Sequence, residues 1–145
     1  MIEGVRITPL KKIDDERGSV LHMMRKDSSI FKSFGEIYFS VAFPEAIKAW
    51  HLHKETFLNY ACIEGTIKLV LFDDRKKSAT KNQTQEIILS TKNYFLVTVP
   101  PLIWNGFVNI GKTNAILANC STVPFSDNEI IRKSPFDNNI PYKWK

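Results

Sequence analysis

The chain has 145 residues, of which 43% are hydrophobic and 24% charged, and a formal net charge of +5 at pH 7. That balance describes one ordinary globular domain with a core of its own. It excludes a membrane span, because no apolar run approaches ~18 residues, and a disulfide framework, because Cys62 and Cys120 are the only cysteines.

The opening stretch, "MIEGVRITPLKKIDDERG", meets charges within three residues and builds no signal-peptide core. The expected compartment is the cytoplasm, where the two cysteines, both inside apolar strand-like runs, stay reduced and buried. From there the periodicity is strand-like. "IYFSVAF" (37 to 43), "TIKLVLF" (66 to 72), "QEIILS" (85 to 90), "YFLVTV" (94 to 99) and "NAILANCS" (114 to 121) are short and rich in β-branched and aromatic residues. Gly, Pro, Asn, Asp or Lys clusters separate them, as in an antiparallel sandwich or barrel. The most basic cluster, "DDRKKSATKNQ" (73 to 83), reads as a solvated turn. "SDNEIIRK" (126 to 133) opens on plausible caps, Ser126 or Asp127, and predicts one or two helical turns. The tail "SPFDNNIPYKWK" is aromatic and proline-punctuated, so it is expected to pack on the body.

The positive charge suits a small anionic ligand. No nucleic-acid module or basic face with stacking aromatics stands out, so neither nucleic acid nor membrane is an expected partner.

The stretch "WHLHKETFLNYACIEG" (50 to 65) holds the chemistry. In an extended strand His51 and His53 share one face while Trp50 and Leu52 take the other. By themselves these are either hydrogen-bonded wall histidines or the lining of a barrel mouth. HxH followed by Gly65, with "VPPLIWNGFVN" at 99 to 109, resembles the two motifs of the cupins. That resemblance puts the remaining metal-ligand positions on Leu58 and Asn105, and Glu55 shares the histidine face only if no turn intervenes. A metal site needs about three protein ligands, so no metal and no cofactor is expected.

Five segments in order resemble the dTDP-4-dehydrorhamnose 3,5-epimerases, a metal-free branch of that architecture: "DERG" (15 to 18), "IKAWHLH" (47 to 53), "GTIKLVLFDDRKKSAT" (65 to 80), "VPPLIWNGF" (99 to 107) and "PFDNNIPYKW" (135 to 144). The resemblance implies an all-β, cupin-like jelly-roll barrel or sandwich, a single domain over 1–145, with the short C-terminal helical turns added. It also implies a homodimer that binds a nucleoside diphosphate 4-keto-6-deoxy sugar, dTDP-linked.

In that family a histidine removes the proton next to the C4 ketone, an aspartate orients it, and a tyrosine returns a proton from the other face. A neutral imidazole suits a base near pH 7, and the enolate oxygen needs a cation or donor. By position, His51 falls on the base and Asp137 on its orienting acid. Lys48 replaces a substrate-clamping arginine and keeps the charge without the bidentate fork, while Arg17 either reaches the nucleotide phosphates of a neighbouring subunit, as the resemblance implies, or is a solvated arginine in a polar loop. The remaining positions depart: the tyrosine falls on Ala118, the cationic lysine on Leu58 or Asn59, the second-motif histidine on Asn105, and a glutamine on His53. Tyr60, two residues past Leu58, is either a replacement acid or a packed strand aromatic. His53 and Asn105 are candidate substrate contacts, and His53 could also donate a proton.

Three functions follow. The first is a sugar-nucleotide epimerase or isomerase with an altered site. A second is a 3,4-ketoisomerase of dTDP-4-keto-6-deoxyglucose, favoured by the paired histidines. The third is a non-catalytic sugar-nucleotide-binding or partner protein of polysaccharide synthesis.

Overall fold

In the computed structural model, which describes residues 1–144, the chain is all-β, and no helix occurs among the described residues. The strands run β1 Arg6–Pro9, β2 Lys12–Asp15, β3 Gly18–Leu21, β4 Glu36–Ala42, β5 Ile47–His53, β6 Leu58–Glu64, β7 Thr66–Asp73, β8 Thr84–Ser90, β9 Phe95–Val99, β10 Ile103–Asn109, β11 Ala115–Ser121 and β12 Ile130–Arg132. One antiparallel sheet has the order β1-β9-β6-β11-β4, a second has β12-β5-β10-β7-β8, and β2 and β3 form a separate hairpin. The five strand-like runs of the sequence correspond to β4, β7, β8, β9 and β11.

The two large sheets close on a shared core. Leu58, Cys62, Val97 and Leu117 from the first meet Leu69, Leu71, Leu89 and Ile103 from the second. Each outer face is then covered by one end of the chain. Leu10, Leu21, Met23, Met24 and Ile30 lie over Ala61, Tyr94 and Leu96, whereas Ile140, Tyr142 and Trp144 lie over Trp50, Val70 and Phe72. The second cover explains why "TIKLVLF" is apolar without alternation, since β7 is buried on both faces. Trp144 and Trp50 meet at a tilt with 5.0 Å between ring centroids, and Tyr142 meets Trp144 at 4.9 Å, so the tail packs as expected.

Two local results depart from the sequence reading. Residues 126–133 form no helical turn: Glu129 N–H reaches back to the Ser126 carbonyl in a tight turn, and the chain enters β12. Ile130, Ile131 and Arg132 pair there with His53, Leu52 and His51, so a free sheet edge supplies the backbone partners that two adjacent isoleucines without helical period could not organise. The basic turn after β7 is built around the buried Asp73, which accepts hydrogen bonds from Arg75 Nε at 2.9 Å and from the Ser78 and Thr80 hydroxyls at 2.6 Å. Burial works against its charge, yet these donors prevail and hold the carboxyl below the usual range.

Candidate active site

At one end of the sandwich the facing walls part around a cavity of about 370 Å³. The second sheet contributes Lys48, His51, His53 and Arg132, and the first contributes Tyr38, Leu58, Tyr60 and Asn119.

Strict alternation would set Lys48 and His51 on opposite faces. Asn105 of β10 lies opposite His51, but Phe107, only two residues on, lies opposite Lys48, so β5 carries one extra residue there. The bulge turns Lys48, His51 and His53 into one cavity and leaves Trp50 for the tail cluster. Gly106 makes room for it: a Cβ at that position would stand 2.4 Å from the Ala49 Cβ.

His53 Nδ1 lies 2.6 Å from Glu129 Oε1. The other Glu129 oxygen accepts the backbone N–H groups of Glu55 and Thr56 at 2.9 and 3.0 Å. Burial raises this carboxyl's pKa, but the Glu55 N–H, His53 and Thr56 lower it further, and the net shift is down. An ionised Glu129 accepts a hydrogen bond from Nδ1–H, which leaves Nε2 of His53 as the nitrogen with the free lone pair.

His51 has no such partner: among the described residues no group hydrogen-bonds its ring. Its ring centroid is 6.3 Å from that of His53, and Arg132 lies directly across the strand pair. Burial first, then His53 and Arg132, push its pKa down to about 4. At neutral pH His51 is an uncharged imidazole facing the cavity.

The dyad expected of His51 and Asp137 does not form. Asp137 is folded into its own turn, where its carboxylate accepts the Asn139 N–H at 2.8 Å, and the carboxylate–histidine pair is built from Glu129 and His53. Tyr60 borders the cavity, but its hydroxyl is fully buried and donates to Asn105 Oδ1 at 2.8 Å. Asn105 in turn donates to the His51 carbonyl at 3.0 Å. It braces the histidine strand from behind and does not line the cavity. Lys48 lines the wall while donating to Ser40 Oγ at 2.9 Å and to the Val41 carbonyl at 2.7 Å. Arg17 sits on the β2–β3 hairpin, away from this cavity, paired with Asp15 at 2.8 Å.

Ala118, where the resemblance put the acid, belongs to the β11 face turned away from the cavity, and its neighbours Leu117 and Asn119 face in. Leu58 presents only apolar surface, and Asn59 is spent on Cys120 and Thr98. No three or more His, Cys, Asp or Glu side chains gather as a metal would require among the described residues.

Tyr38, Asn119, Glu129 and Arg132 are among the cavity residues that escaped the sequence reading. A signal existed for the first. In "EIYFSVAF" the polar residues Glu36, Tyr38 and Ser40 alternate with Ile37, Phe39, Val41 and Phe43, and here the polar residues line the cavity, with Tyr38 still 40% exposed, while the apolar ones face outward. Glu129 and Arg132 were hidden by the assignment of their segment to helical turns.

The family model described as dTDP-4-dehydrorhamnose 3,5-epimerase matches residues 1–145. The crystal structure of a dTDP sugar isomerase from Desulfovibrio desulfuricans G20 superposes with a TM-score of 0.97 at 40% identity, covering 99% of this chain and 92% of that one. The spore coat polysaccharide biosynthesis protein SpsL of Bacillus subtilis is 28% identical over 146 residues, 99% of this chain and 97% of its own. The probable low-salt glycan biosynthesis epimerase Agl13 of Haloferax volcanii is 29% identical over 143 residues, 97% and 88% of the two chains.

Proposed function

Since the chain belongs to the dTDP-4-dehydrorhamnose 3,5-epimerase family, we propose that it is an epimerase of a dTDP-4-keto-6-deoxy sugar in which His53, held by Glu129, removes the proton next to the C4 ketone. The observation that carries this reading is the 2.6 Å contact between His53 Nδ1 and Glu129 Oε1 in the wall of the cavity. A base needs a fixed tautomer and a neighbour that stabilises the imidazolium it becomes. Glu129 supplies both. His51, uncharged and unpartnered, is placed to hydrogen-bond the substrate, and Arg132, paired across the strands with His51, is a cation available for charge developing on the C4 oxygen. Arg132 thereby takes over the part that Leu58 cannot play.

The paired imidazoles favour one second reading, a 3,4-ketoisomerase, in which the proton removed beside the ketone is relayed to the carbonyl carbon. Incubation with dTDP-4-keto-6-deoxyglucose in heavy water separates the two. Deuterium at C3 or C5 with inversion supports the epimerase, and a 3-keto product supports the ketoisomerase. His53→Asn is expected to abolish exchange and His51→Asn to weaken it. The reverse ranking would transfer the base role to His51, as the family resemblance implies.

The working unit is a homodimer. The exposed stripe Ile37, Phe39 and Val41 lies along β4, the outermost strand of its sheet, and continues to Phe43 just past its end; an apolar stripe of that kind supports a self-interface. Arg17, on its projecting hairpin, would then serve the diphosphate in the other copy. Light scattering tests this, and a monomeric mass at micromolar concentration would refute it. Two reduced, buried thiols, Cys62 and Cys120, support a cytoplasmic location.

A further inference from the structure

We propose that Tyr38 is the catalytic acid of this site, returning a proton to the substrate carbon from the wall opposite the histidines. The inference rests on the epimerase reading above. Tyr38 stands on β4 of the first sheet and His51 and His53 on β5 of the second, so a ring bound between them meets base and acid on opposite faces.

The hydrogen bonding around the phenol decides which group gives a proton. Asn59 N–H donates to Asn119 Oδ1 at 3.0 Å, which fixes the orientation of that amide. Asn119 can therefore offer Tyr38 only its N–H, and Nδ2 lies 3.0 Å from the phenol oxygen. The Tyr38 oxygen is the acceptor in that bond, and its own O–H meets no acceptor among the described residues. Its proton is available to a ligand. Tyr60 is the opposite case, because its proton is already given to Asn105 and its hydroxyl is buried.

The surroundings suit a group that donates and then recovers. Burial raises the Tyr38 pKa, Asn119 lowers it, Glu36 raises it and Arg132 lowers it, with a net rise that keeps the phenol protonated at neutral pH. Once the proton leaves, the Asn119 N–H becomes a charge-assisted donor to the phenolate. The atoms balance. The base breaks a C–H bond and leaves an enolate; the Tyr38 O–H bond breaks as a new C–H bond forms on the other face of the same carbon. Water reprotonates the phenolate after product leaves. One base facing one acid inverts one carbon.

Tyr38→Phe tests this with dTDP-4-keto-6-deoxyglucose in heavy water, with binding of dTDP and the thermal midpoint as controls for fold. The expected variant binds and still exchanges the substrate C–H, because solvent deuterium returns from the base's own side, but forms epimer at least about 100-fold more slowly. Epimer formation at the parent rate would overturn the proposal. Equal loss of exchange and epimerisation would overturn it too, since the phenol would then act before the enolate forms. A parent protein that exchanges no deuterium would overturn the functional reading and, with it, this one.

Discussion

His53 Nδ1 and Glu129 Oε1 lie 2.6 Å apart, joining β5 to the turn that leads into β12. Because Glu129 also accepts from the Glu55 and Thr56 backbones, one carboxylate both sets the histidine tautomer and closes the loop after β5. Glu129→Gln is expected to slow C–H exchange at least about 100-fold. It is also expected to lower stability by roughly 1–3 kcal/mol through the weakened bonds to a buried acceptor. Exchange rates and urea midpoints of the same preparation measure both. An active, merely less stable variant would reduce Glu129 to a loop clamp.

His51 makes stability depend on pH in a stated direction. The unfolded chain takes up its proton near the ordinary histidine value of about 6.5, whereas the folded chain holds it off until about 4. Between those values the unfolded state binds more protons, so stability is full above pH 6.5 and falls as the pH drops. The loss between pH 7 and pH 5 is expected to be up to roughly 2 kcal/mol, before Glu129 and Asp73 begin to titrate. His51→Asn should flatten the slope in that window. Identical slopes for parent and variant in urea titrations would remove His51 as the cause.

Gly106 and Ala49 test the bulge. A methyl group added at Gly106 would stand 2.4 Å from the Ala49 Cβ and 2.9 Å from its Cα. Gly106→Ala is therefore expected to cost about 1–3 kcal/mol and to move the backbone that presents Lys48 and His51. Activity should fall by more than the small unfolded fraction accounts for. Thermal melting alongside turnover decides it, and a fully active variant would show that the bulge tolerates displacement.

The tail is expected to matter for stability through Trp144, which packs on Trp50 and Tyr142 at 5.0 and 4.9 Å. Trp144→Ala should lose about 3 kcal/mol, read as a lowered denaturant midpoint, because it uncovers the outer face of the strand that holds the histidines. A change below about 0.5 kcal/mol would mean that the cover contributes nothing beyond surface contact.

Much of this arrangement is legible in the residues, and the failures have physical causes. β7, β8, β9 and β11 show in the sequence as β-branched and aromatic runs between turn residues, and the histidine pair shows as alternation. The bulge does not show, because only the partner strand reveals that Lys48 and His51 flank an extra residue. Tyr38 was within reach in the alternation of β4, but the usual rule sends the apolar face inward, and a polar cavity with an exposed apolar stripe reverses it. Asp137 against Glu129 is a matter of connection. Either acid could approach the histidines on paper, and pairing of β12 with β5 brings the second and leaves the first in a turn.

In β4 the residues that face the cavity and those that face outward are disjoint sets, because successive side chains of a strand point to opposite faces. Substitutions at Ile37, Phe39 or Val41 change the outward face of β4 and leave its cavity lining in place, and substitutions at Glu36, Tyr38 or Ser40 change the cavity lining. Six consecutive residues, Glu36 to Val41, therefore carry two traits that selection can adjust separately.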